Sequence, residues 1–145
     1  MKTIHRGTRR KGRELALQAL YQVEITGDAS EAAVEQFLSH FEGHPAARRF
    51  ARRLVFGVLA QRAEIDRVIE RCAEHWKISR MAKVDLTILR MATYELLYCP
   101  DIPVNVSLDE AIEIAKRFGS SESPSFINGV LDQVAQSTGA KASSA

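Results

Sequence analysis

Phe50-Ala51-Arg52-Arg53-Leu54-Val55-Phe56-Gly57-Val58-Leu59 is followed, across Gln61-Arg62-Ala63, by Ile65-Asp66-Arg67-Val68-Ile69-Glu70-Arg71-Cys72. Apolar residues recur at steps of three and four in both halves. Phe50, Ala51, Leu54, Val55, Val58 and Leu59 form one stripe, and Ile65, Val68, Ile69 and Cys72 form a second. That is the period of an α-helix burying one face. The stretch, from about Pro45 to His75, reads as one bent helix or as two joined at Gln61-Arg62-Ala63, where no proline enforces a break.

The same period extends in both directions. Upstream, Thr8 is placed to cap a helix running to Thr26, with Ala16, Ala19, Leu20 and Val23 inward and Gly27 offering a left-handed stop. Tyr21 reads as core with a wet hydroxyl. Asp28 and Ser30 open a shorter helix to about Phe41. Downstream, Trp76 to Arg80 reads as a connector, and a helix follows from Ala82 to Tyr98, stopped by Pro100. The next begins at Pro103, or at a capping box formed by Ser107 and Glu110, and ends at Gly119. Ser123-Pro124 is an N-cap with proline at the first turn, opening a last helix with Phe126, Ile127, Val130, Leu131 and Val134. No run alternates at period two. The fold class is all-α, two small bundles meeting near residues 76–80.

A chain of 145 residues, 46% hydrophobic and 26% charged, has the usage of one globular domain. Its two cysteines, Cys72 and Cys99, form no disulfide framework, which predicts a reducing compartment and a cytoplasmic protein. No run is apolar and long enough for a membrane helix, and the opening residues lack the apolar core of a signal peptide. His5, His40, His44 and His75 are scattered, so no metal is expected. No phosphate-cradling glycine motif and no GxSxG elbow are present, and neither cysteine has the local basic setting typical of a catalytic nucleophile. Glu110 and Glu113 read as solvent-facing carboxylates, and Glu95 as a buried partner of Arg90 or Lys83. A binding protein without cofactor is expected, not an enzyme.

Net charge is only +2, but its distribution is uneven. Lys2, Arg6, Arg9, Arg10, Lys11 and Arg13 precede the first acid, Glu14, and Arg48, Arg49, Arg52 and Arg53 form a second basic group. Cations in the first turn of a helix oppose its dipole, a small cost that points to a polyanion partner. Residues 1–8 read as a basic arm, 9–76 and 77–136 as two helical subdomains, and 137–145 as a frayed tail.

Three stretches resemble the NusB family of bacterial transcription antitermination factors. They are Arg9-Arg10-Lys11-Gly12-Arg13-Glu14-Leu15-Ala16-Leu17-Gln18-Ala19-Leu20-Tyr21, then Ile88-Leu89-Arg90-Met91-Ala92-Thr93-Tyr94-Glu95-Leu96, then Pro103 to Gly119. Phe126-Ile127-Asn128-Gly129-Val130-Leu131-Asp132 completes the pattern in order and spacing. The chain departs from it at Asp109, Ile127, Ser107, Lys11 and Gly12. The resemblance implies two perpendicular helical bundles forming one compact domain. It implies binding of single-stranded boxA RNA together with the ribosomal small-subunit protein NusE, within an RNA polymerase antitermination complex that reads through ribosomal RNA operons. A homodimer is an alternative state of the free protein.

The residues add a mechanism to that resemblance: Arg9, Arg10, Lys11 and Arg13 are placed for phosphates, and Phe126 reads either as a base-stacking ring or as a core aromatic. Glu122 corresponds to a position that tunes RNA affinity. Asp85, Glu95 and Val104 fall in stretches resembling the NusE-facing surface. Two other classes fit parts of the pattern: the helical module of a ribosomal RNA methyltransferase, and a helix-turn-helix DNA regulator. The first would need a catalytic βαβ region elsewhere. The second would need polar base-reading residues on a recognition helix that is here largely apolar.

Overall fold

The structure is a computed structural model that describes the backbone of residues 2–139 and the side chains from Gly7 onward. Seven α-helices make up its regular structure: α1 Lys2–Thr26, α2 Glu31–Ser39, α3 Pro45–Ala60, α4 Arg62–Cys72, α5 Lys83–Tyr98, α6 Val104–Phe118 and α7 Ser123–Ser137. A 3-10 turn, Ile78–Arg80, lies between α4 and α5, and no strand occurs among the described residues. No helix of the described part is long and apolar enough to cross a membrane. Arm residues 1–6 and tail residues 140–145 lie wholly or in their side chains outside the description.

The chain divides into two compact units, Met1–Ala60 and Gln61–Ala145. The division falls at the Gln61 joint rather than at Trp76–Lys77, because α4 packs against α5 and α7. In the first unit α1 lies along α3 and also meets α2. Ala16, Ala19, Leu20 and Val23 are buried there, as are Phe50, Ala51, Leu54 and Val55. α2 begins as expected, with Ser30 Oγ accepting from the Ala33 N–H at 3.2 Å. Asp28 supports that start by accepting from the Ser30 N–H at 3.0 Å, a bond to the ionised form that holds its carboxyl below the usual range.

α1 differs from its expected course. It is helical from Lys2, so Thr8 is no cap, and Arg9, Arg10 and Arg13 lie well inside the helix. The dipole acts within a terminal turn, so it carries no argument about these cations. Tyr21 is 38% exposed and not core. Gly12 lies tight against α3: a Cβ there would stand 2.9 Å from both the Ala47 carbonyl oxygen and Phe50 Cδ2.

In the second unit, α5 is central and is buried along Leu86 to Thr93. Arg90 donates through Nε and Nη2 to the two carboxylate oxygens of Asp66, at 2.8 and 2.9 Å, fastening α5 to α4. α6 starts at Val104 after Pro103. Ser107 therefore lies inside the helix, and its hydroxyl donates to Glu95 Oε1 at 2.7 Å instead of capping. Glu110 is buried, contrary to the solvent-facing expectation, while Glu113 stays outside and pairs with Lys116 at 3.2 Å.

Candidate nucleic-acid interface

In the first unit the candidate cations are not equivalent. Lys11 is exposed, with only a 3.8 Å contact to Glu14. The guanidinium carbons of Arg9 and Arg13 lie 4.7 and 5.2 Å from the centroid of the Phe50 ring, within cation–π range. Arg9 is half-buried, as is Arg10. Arg13 is 3% exposed, so it does not share the surface with the others. Its aliphatic stem and guanidinium plane work as packing against α3. Lys11 thus lies on the surface of α1, Arg9 and Arg10 reach it in part, and Arg13 lies inside.

In the second unit, Glu122 and Phe126 share one open groove. Its walls come from three places: the turn after α4, the 3-10 turn with the start of α5, and the loop entering α7. Trp76, Arg80, Met81, Asp85, Glu122 and Phe126 line it, together with Ser120, Ser121 and Ser125, around about 490 Å³. Phe126 is half-buried, and its ring meets Trp76 edge to face at 5.6 Å between centroids and 73° between planes. Glu122 is the residue before α7 and makes no side-chain cap. Ser123 is buried and does not cap either. Its hydroxyl donates to Asp85 Oδ1 at 2.6 Å and accepts from the Ser120 N–H at 2.9 Å. One serine thereby ties the loop to the first turn of α5.

The three residues singled out for a protein partner differ in setting. Asp85 belongs to the groove wall. Glu95 is 3% exposed and engaged by Ser107, so its carboxylate works inside the unit. Val104 is half-buried at the start of α6. Trp76 is the residue that sequence reading missed: it lies outside every periodic segment, and only its size and its place in a polar connector set it apart. Among the described residues no group of three His, Cys, Asp or Glu side chains is arranged to hold a metal.

Among the described residues, seven α-helices with a row of cations on the first and an aromatic, partly charged groove at the entry to the last define an all-α helical protein. The NusB family model matches residues 10–136, and the chain belongs to that family. The transcription antitermination protein NusB of Geotalea uraniireducens is 50% identical, with 88% of this chain and 94% of that protein covered. The solved structure of T. maritima NusB is 40% identical, with a TM-score of 0.80 over 88% of this chain and 90% of that one. A structure of antitermination factors NusB and NusE in complex with dsRNA matches at 22% identity and a TM-score of 0.79. It covers 90% of this chain and 97% of that one, and likeness at that identity speaks for the fold alone.

Proposed function

We propose that this chain is a transcription antitermination factor that binds boxA-type single-stranded RNA together with NusE and promotes read-through in ribosomal RNA operons. Its place of action in this reading is the cytoplasm, on nascent RNA in an RNA polymerase complex. Family membership and the names of the relatives support the antitermination half. The observation that supports the RNA half is Phe126, which is only half-buried and stands in a groove beside Trp76 and Arg80 instead of closing the core. An aromatic face held open next to a cation suits an unpaired base and its phosphate, because a base inside a duplex is already stacked.

Arg9, Arg10 and Lys11 serve in this reading as phosphate contacts. Asp85 and Val104 are the residues left for a protein partner, Asp85 at a position shared with the groove. The test is RNA binding measured with boxA-like and scrambled single strands, with and without the ribosomal partner. Tighter binding of the boxA-like strand, increased by the partner, is expected. Equal binding of both strands under all conditions would overturn the sequence-specific reading, and preference for duplex DNA would return the chain to the DNA-regulator class.

A further inference from the structure

We propose that Trp76 is a stacking platform for a base of single-stranded RNA, with Phe126 as the ring that props it. This deepens the RNA-binding reading above and rests on it. Trp76 is 54% exposed, an unusual position for the largest apolar side chain. It stands in the turn after α4, where its N–H donates to the Ala73 carbonyl at 3.0 Å and fixes the backbone beneath the ring. An edge-to-face contact uses at most one face of one ring. The contact with Phe126 therefore orients the indole and still leaves it a π face for a ligand.

The surroundings favour a nucleobase over an apolar peptide. Apart from the two aromatic rings, Met81 and Ala82, the groove is lined by polar side chains: Arg80, Asp85, Glu122 and three serines. An apolar helix or strand would leave those groups without water or partners. A nucleotide meets them with matching chemistry. The base stacks on the indole, Arg80 is placed for the phosphate, and the serine hydroxyls can pair with base edges.

Trp76 is the chain's single tryptophan, so indole emission reports on this one position. The experiment titrates the full chain with boxA-like single-stranded RNA while following both the emission and the anisotropy of labelled RNA. Quenching that tracks the bound fraction is expected. Trp76→Ala should bind roughly five- to a hundred-fold more weakly, the range for loss of one base–aromatic stack. Trp76→Phe should keep most of the affinity, and both variants should unfold near the wild-type temperature. Unchanged emission at saturating RNA, or unchanged affinity of Trp76→Ala, would overturn the proposal while leaving RNA binding intact. Quenching by a basic ribosomal protein alone, with none by RNA, would assign the indole to a protein interface and also overturn it. No RNA binding by the wild-type chain would remove the functional reading, and this inference with it.

Discussion

Arg13 of α1 and Phe50 of α3 are stacked, with the guanidinium carbon 5.2 Å from the ring centroid and the arginine withdrawn from solvent. Arg9 meets the same ring, but full burial makes Arg13 the structural residue among neighbours of the same charge. Arg13→Ala is expected to cost about 2–4 kcal/mol in stability, from lost packing and a desolvated cation–π contact. Lys11→Ala should change stability by less than about 0.5 kcal/mol. Urea unfolding of the two variants checks the contrast.

The RNA readout should reverse that order. Neutralising Arg10 and Lys11 together is expected to weaken boxA-like and scrambled RNA by similar factors. It should also flatten the dependence of log K on log[salt] by roughly 1.4, from about 0.7 per phosphate contact on a single strand. A slope unchanged from wild type would show that the arm does not touch phosphates.

Gly12 and Gly129 form a matched pair. Gly12→Ala places a methyl 2.9 Å from a backbone carbonyl that cannot swing aside. Overpacking there should outweigh the gain in helix propensity, for a net loss of about 1–2 kcal/mol. A Cβ at Gly129, inside α7, meets nothing within 4 Å. Gly129→Ala should therefore raise stability by about 0.5–1 kcal/mol. Thermal melts of the two variants, moving in opposite directions, check both.

Glu122 is exposed on the groove where a phosphate is expected to pass. Glu122→Gln removes a like charge and should tighten RNA most at low salt, with the gain shrinking as ionic strength rises. Weaker binding of the variant would identify the carboxylate as an acceptor for a base amine instead.

Ser123 holds both Asp85 and the Ser120 amide. Ser123→Ala leaves a half-buried carboxylate and an N–H short of a partner, so a stability loss of about 1.5–3 kcal/mol is expected. RNA affinity should fall with it, because the Glu122 loop loses its anchor. Denaturant unfolding together with RNA titration separates this from a loss of stability alone.

Much of the helical plan is legible in the residues. The stop before Pro100, the Ser30 cap and the Pro124 start all follow from local chemistry, whereas the residues leave open whether Gln61 bends one helix or joins two. What escapes is whatever a second helix decides. Nothing within α1 tells Arg13 from Arg9 and Arg10: Arg9 meets the Phe50 ring of α3 as well, and the difference is that Arg13 alone is fully buried. Glu110 is polar by composition and buried by its neighbours. Ser107 has the spacing of a cap but spends its hydroxyl on Glu95, a residue of the preceding helix. Trp76 escapes for the opposite reason: it belongs to no helix, so periodicity is silent about it, and its meaning comes from the Phe126 ring brought beside it.

The pairing of α1 with α3, across α2, also orders events at birth. A nascent chain emerges from its N-terminus at about 5–20 residues per second. For a few seconds the first helix has no Phe50 to lie on, and Arg13 is as open to water as Lys11. During that interval the newborn chain displays one more cation to surrounding polyanions than the mature protein does. The arrival of α3 withdraws it.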